Sequence, residues 1–350
     1  MEIVVRPMQS GEAAEVHKIG RRAFTWFESL WVSKPREALV AVKDGTIVGA
    51  ILYKFMKTRG TKIGYIDYAF IDPHYHNQGI GGRLYKASID FLWEQGCDAL
   101  TAIVKDDNVG SWGLFLKNGF ERVSLSEGVR QLGLWGMLGQ YLGTPFCFGA
   151  GMEFYVALRD KTCVSGKGGS IKQLAAYIST NLLLFLLTIF RRPENALTFF
   201  IAYFIFLSGG ILAGYFGTLL SRRKWHFRFN NGGGLVCAII HLTGNMFPMV
   251  GNWYPEEYEN SDEFRKDMGM TALFGWVFVL FLSILSILML SQHVIFRYFR
   301  EIGFLFLIYR ILAIYPFESY GGRRIYQWKR GIYLLMAIIS LAVMAIIYFS

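Results

Sequence analysis

Residues 73–96, PHYHNQGIGGRLYKASIDFLWEQG, decide how the first half of this chain is read. The preceding residues, 65–71, alternate apolar and polar side chains and read as a strand. After the glycines at 79, 81 and 82, the apolar residues Leu84, Ala87, Ile89, Phe91 and Leu92 recur on one helix face. Gly96 is a natural stop for that helix. A strand, a glycine turn and a helix N-terminus together form an anion cradle, because bare backbone N–H groups and the helix dipole both face the turn. A tight bend explains three glycines equally well, so the cradle needs a second motif beside it.

That motif follows at the expected distance. Asp107-Asn108 ends the next strand, and Phe115-Leu116-Lys117-Asn118-Gly119-Phe120 opens beyond a short helix. Together, Ile71-Asp72-Pro73-His74-Tyr75-His76-Asn77-Gln78-Gly79-Ile80-Gly81 and 115–120 resemble two signatures of the GNAT superfamily of acyl-CoA-dependent N-acyltransferases. These are its Arg/Gln-x-x-Gly-x-Gly/Ala loop and its Tyr-x-Lys-x-Gly-Phe stretch. The resemblance covers residues 1–160.

The resemblance implies an α+β fold, a mixed sheet with flanking helices, and acetyl-CoA as co-substrate. Acyl-CoA would be held by His76, Asn77, Gln78, Gly79, Ile80, Gly81, Gly82 and Arg83. A strand bulge at Phe70 or Ile71 would give its N–H to the thioester carbonyl. Asn108 would contact cofactor or a catalytic water. Asp67, on the same strand as the bulge, is the carboxylate placed to act as general base, or else to make a structural charge pair. Trp26, Glu28 and Trp31 would line the acceptor entrance or pack as a second core helix. Phe115 departs from the pattern: many family members carry there a tyrosine that protonates the coenzyme A thiolate, and a phenyl ring has no proton to give. Ser111 or a water would have to serve, or the domain binds acyl-CoA without efficient turnover.

Elsewhere in the first half, residues 2–6 read as an edge strand and Ser10 as the N-cap of a helix reaching 24. Strands at 38–42 and 46–55 flank the hairpin dipeptide Asp44-Gly45. A fifth strand spans 98–104, a short helix 109–118 and a last strand 153–158. Between them, residues 128–150 are apolar, punctuated by glycine and almost free of charge. We expect this insertion to lie against a membrane, or to pack within the soluble fold as a hairpin or helix pair.

The chain has 350 residues, 53% of them hydrophobic, and a formal net charge of +10. The apolar excess lies beyond residue 160, where the basic residues sit between long apolar runs. That pattern favours a lipid bilayer over nucleic acid as the charged partner. Four cysteines without paired spacing suggest neither a zinc site nor disulfides. A linker at 161–172 leads into an all-α membrane domain, 173–350. Spans are expected at 174–190, 196–220, 232–250, 270–291 and 331–349, with 302–314 a doubtful sixth. Basic loops at 222–228 and 323–330 suggest cytoplasmic ends and place the acidic loop 256–263 on the opposite side. The acyltransferase domain is then cytoplasmic, facing a membrane-associated amine acceptor. His241 and Asn245, four apart, would share a helix face inside an apolar segment. Residues 316–323 faintly resemble the Pro-x-x-x-Asp-Gly-Gly stretch of site-2-protease-like domains. The His-Glu-x-x-His motif is missing and Tyr320 replaces the aspartate, so no metal is expected.

Overall fold

The structure, a computed structural model, describes residues 3–58, 60–76, 78–105, 108–149, 152–159, 169–192, 194–230, 232–314 and 317–349. The chain divides into two compact units. One comprises Met1–Val104, Gly110–Pro145 and Glu153–Gly166; the other comprises Lys105–Val109, Phe146–Met152 and Lys167–Ser350.

The first unit begins with β1 (Ile3–Pro7) and α1 (Ala13–Ala23). Ser10 does not cap α1. Glu12 occupies the N-cap position, and its carboxylate is held at 2.6 Å by Arg6. A single turn, α2 (Trp26–Ser29), precedes the hairpin of β2 (Ala38–Lys43) and β3 (Thr46–Thr58). Asp44 and Gly45 both take positive φ, 50° and 78°, as a two-residue hairpin turn requires. Next come β4 (Thr61–Ile71), α3 (Ile80–Glu94), β5 (Ala99–Val104), α4 (Val109–Lys117) and β6 (Glu121–Val123). Then come α5 (Leu125–Gly143) and β7 (Glu153–Leu158), with the short α6 (Pro145–Gly149) between them in sequence but grouped almost wholly with the second unit.

The sheet runs β1-β2-β3-β4-β5-β7-β6, antiparallel except where β4 and β5 lie parallel. The last strand in sequence thus lies between two earlier ones. Val16 and Ile19 of α1 cover the face carrying Val40, Ala50, Leu52 and Phe70. Tyr53, one residue beyond Leu52, packs its ring at 5.6 Å from Phe91 of α3. Successive strand residues face opposite sides, so α3 covers the other face.

Within the insertion, residues 128–143 belong to helix α5, kinked at Gly133 (φ 72°). It packs within the fold, as a helix and not as a hairpin. Leu132 and Met137 are buried, and buried Gln140 accepts from Thr101 Oγ1 at 2.8 Å. Gly139 sits where a Cβ would come within 2.5 Å of Thr58. Its outer side leaves Leu134, Trp135, Leu138 and Leu142 exposed.

The second unit departs from the all-α expectation. α7 (Ser170–Arg191) and α8 (Ala196–Thr218) are followed by β8 (Trp225–Phe229), α9 (Gly234–Leu242) and β9 (Gly251–Pro255). β8 and β9 pair antiparallel. α10 (Asp262–Leu288), α11 (Val294–Ile311), α12 (Gly322–Trp328) and α13 (Arg330–Phe349) complete the unit. Among the described residues, four helices, α7, α8, α10 and α13, are long and apolar enough to cross a membrane. The expected span at 232–250 is not one of them. Its helix has nine residues and gives way at Gly244, whose φ is 83°. Residues 302–314 likewise lie outside these four, within and just beyond the charge-bearing α11.

The expected separation of basic and acidic loops fails for the same reason. β8 and β9, on either side of the short α9, pair antiparallel and bring Lys224 beside Glu256, whose N–H donates to the Lys224 carbonyl. Arg223 then bonds Glu259 at 2.6 Å and Asp267 at 2.9 Å, so both loops lie at one end of this unit. His241 and Asn245 do not share a helix face, because α9 ends at Leu242. They meet at Thr188 of α7, whose hydroxyl lies 2.7 Å from His241 Nδ1 and donates to Asn245 O at 2.9 Å. Tyr320 packs against Phe247 and Tyr309 and donates to Pro248 O; Pro316 lies outside the described residues. The linker shortens at its far end, since α7 begins at Ser170; residues 160–168 also lie outside the described set.

Candidate active site

The parallel strands β4 and β5 pair only over Ile63–Ile66 and Ala99–Ala102. Past Ile66 the two strands no longer pair, which leaves a gap between them. The cause is visible in the β3–β4 ladder. Tyr68 pairs with Leu52 and Ile66 with Tyr53, so Asp67 is the extra residue of a bulge. The bulge therefore stands at Asp67 and not at Phe70 or Ile71, which pair regularly with Ala50 and Gly49. Asp72 N–H donates to Val48 O at 2.8 Å. Strand alternation then turns the amides of Phe70 towards β3 and those of Ala69 and Ile71 towards the gap. The Phe70 ring is core. Of the two expected donors, only Ile71 presents its N–H to the gap.

At the mouth of the gap, Asp72 caps the 3-10 turn Pro73–Tyr75 and pairs with Arg22. A ring nitrogen of His76 lies 3.1 Å from Ile71 O, and Gln78 accepts from Lys43 Nζ at 2.7 Å. Asn77 lies outside the described residues. Gly79 takes φ 72° at the N-cap of α3, a conformation that favours glycine, and no side chain caps this helix. The first-turn N–H groups of Ile80, Gly81 and Gly82 have no intrahelical acceptor by construction. The Ile80 side chain is buried, so only its backbone faces the loop; the Arg83 side chain is exposed. A Cβ at Gly82 would meet nothing within 4 Å, and one at Gly81 only Leu114 at 4.0 Å. Protein packing does not account for these glycines.

Asp67 is 11% exposed and forms an ion pair with Lys54 at 2.5 Å. The charge-pair alternative for Asp67 is thus the arrangement present. α2 is a single turn, fixed by a capping box in which the Glu28 carboxylate accepts from Thr25 N–H and Oγ1. Glu28 therefore holds its own turn. Trp26 and Trp31 are 77% and 63% exposed, which removes the core-helix alternative. Tyr68, next to Asp67, donates to Trp31 O at 3.1 Å and ties α2 to β4. Asn108 lies in the 105–109 connection ahead of α4, and its N–H donates to Lys105 O.

Phe115 is buried among Tyr85, Phe120 and Tyr155, with ring centroids 5.1, 4.9 and 5.9 Å away. The hydroxyl that this position lacks has a neighbour that the motifs did not single out. Tyr85 of α3 donates to Ser111 Oγ of α4 at 3.4 Å, and burial pushes its phenol up to about 12, so it keeps its proton. The signal in the sequence was a tyrosine on the apolar face of α3, which looks like any core aromatic until α4 is docked against it. Among the described residues, no group of three or more His, Cys, Asp and Glu side chains is arranged to hold a metal.

Residues 6–120 match the model of the Acetyltransferase (GNAT) family. N-alpha-acetyltransferase MAK3 of Arabidopsis thaliana is 30% identical over 99 residues, 28% of this chain and 50% of that protein. N-alpha-acetyltransferase 30 of Schizosaccharomyces pombe is 29% identical over 100 residues, 28% of this chain and 65% of that protein. The chain thus spans half to two-thirds of the curated relatives it matches. N-acetylglutamate synthase from Neisseria gonorrhoeae, solved with coenzyme A and N-acetyl-glutamate, is 20% identical with a TM-score of 0.35, covering 46% of this chain and 36% of that one.

Proposed function

We propose that this chain is a membrane-anchored N-acetyltransferase moving an acetyl group from acetyl-CoA to a primary amine, of the kind found at a protein N-terminus or on a lipid-linked acceptor. The observation that carries this reading is the uncapped, glycine-lined start of α3 beside the gap between β4 and β5. The diphosphate rests on the amides at 80–82, and the acyl arm passes through the gap towards the bulge. His76, Gln78 and Arg83 border that diphosphate. Ile71 N–H polarises the thioester carbonyl. The amine nitrogen attacks the carbonyl carbon and the C–S bond breaks; the thiolate takes the Ser111 hydroxyl proton as Tyr85 passes its own to Ser111, and solvent water returns a proton to Tyr85 before the next turnover. The α-amine acceptors of the two relatives favour an N-terminal acceptor.

Lys54 suggests how Asp67 serves. Its ammonium occupies the carboxylate as an acceptor's ammonium would, and an incoming substrate displaces an exposed, flexible lysine at little cost. Asp67, released from Lys54, then accepts the proton the amine sheds. Trp26 and Trp31 border that entrance. Four membrane-length helices and the exposed apolar row on α5 support an acceptor held at a bilayer surface.

The test is release of free coenzyme A by the full chain in detergent, offered a library of N-terminal peptides and aminolipids. Asp67→Asn should lower turnover by about two orders of magnitude, the scale of a lost general base, and leave acetyl-CoA binding intact. Binding without turnover on any amine would sink the transferase reading. It would favour a second one, suggested by the buried Phe115: a domain whose acyl-CoA occupancy regulates the membrane unit. Tyr85→Phe separates the two, since only a transferase loses turnover, about tenfold, at unchanged affinity.

A further inference from the structure

The second unit contains a cavity of about 80 Å³ that opens to the outside, walled by α7, α8, α10, α11 and β9. Much of its wall is apolar, including Phe206, Leu207, Ile211 and Phe306. One charged residue, Arg310 of α11, faces this space among the described lining. Its Nη1 donates to Tyr320 O at 3.0 Å, and it forms no ion pair among the described residues. Other arginines of the unit are matched. Arg223 holds Glu259 and Asp267, Arg192 holds Glu301, and Arg324 donates to Trp253 O and stacks on Tyr254.

A guanidinium has five N–H donors in a planar fork, and one carbonyl leaves most of them unused. In an apolar wall that is unfavourable, and the fork matches a carboxylate or phosphate two bonds at a time. The space beside it is kept open by small residues. A Cβ at Gly210 of α8 would meet nothing nearer than Arg310 Nη2 at 4.0 Å, while Gly275 of α10 stands at contact distance from the same nitrogen. Asn252 and Ser319 add polar groups at the same lining.

We propose that this cavity binds the anionic headgroup of a single- or double-chain amphiphile, with Arg310 gripping the carboxylate or phosphate and the apolar wall taking the first part of the chain. The site belongs to the second unit alone and does not rest on the transferase reading.

The experiment uses the full chain in neutral detergent and radiolabelled oleate and dioleoyl phosphatidic acid as probes, with oleyl alcohol and inorganic phosphate as controls. Saturable binding of either anionic lipid is expected, the stronger of the two identifying the headgroup. Arg310→Gln should weaken it at least tenfold, and Arg310→Lys should restore part of the loss. Gly210→Leu fills the cavity without removing the charge and should abolish binding, so the proposal stays testable if the arginine variant fails to fold. Oleyl alcohol binding as tightly as oleate would overturn the headgroup assignment. Inorganic phosphate binding as tightly as the lipid would overturn the amphiphile. Equal binding by wild type, Arg310→Gln and Gly210→Leu would overturn the site.

Discussion

Gly82 in α3 and Gly217 in α8 are both helical glycines, and each gives up roughly 1 kcal/mol of helix propensity relative to alanine. Their surroundings differ. A Cβ at Gly217 would lie 2.8 Å from Thr271 Cα and 2.9 Å from Met270 O, backbone atoms of α10 that have nowhere to go. A Cβ at Gly82 would meet nothing within 4 Å. The first glycine is explained by a neighbouring helix at close approach. The second is explained by no atom of the protein; under the proposed function it leaves the backbone open to the cofactor.

Substitutions break that pair in opposite directions. Gly82→Val, branching into the open space, should weaken acetyl-CoA binding about 100-fold by displacing the diphosphate from the amides, read by calorimetry; undiminished affinity would place the cofactor elsewhere. Gly217→Ala should lower stability by about 2 kcal/mol, the usual scale of overpacking against an element that cannot shift, seen as a lower melting temperature in detergent. Gly82→Ala should do the reverse, stabilising the chain by up to about 1 kcal/mol while binding suffers. A stability loss there would mean that the space is filled by protein after all.

The smallest effect calibrates the first unit's surface. The bond from Arg6 holds the Glu12 carboxyl down at about 2, below its ordinary value of 4.5. A depressed carboxyl stabilises the fold above pH 4.5 and loses that contribution as pH falls towards 2. Glu12→Gln should therefore cost about 0.5 kcal/mol at pH 7, the scale of a partly exposed ion pair, and nothing near pH 2. A pH-independent difference between the two proteins' melting temperatures would show that Glu12 acts through its N-cap position and not its charge.

The same division separates what was legible in the chain from what was not. Residues 65–71, the helix after Gly79 and the Asp44-Gly45 turn follow from alternation, 3.6-residue periodicity and positive φ, all local properties that a stretch carries with it. So do α7, α8 and α13, because an apolar run of that length is helical wherever it sits. The 232–250 segment was apolar enough to look like another span. Only the pairing of β8 with β9 shows it folding back, and with that the charge pattern lost its meaning as topology.

By itself, then, the sequence determined six of the seven strands of the first unit's sheet, the glycine turn ahead of α3 and four long apolar helices, since each depends on neighbours along the chain. Tertiary structure alone decided that the bulge falls at Asp67, that Lys54 occupies its carboxylate, that Tyr85 stands beside Phe115 and that Arg310 faces a cavity. Those facts are set by which distant residues meet, and no local pattern encodes a meeting.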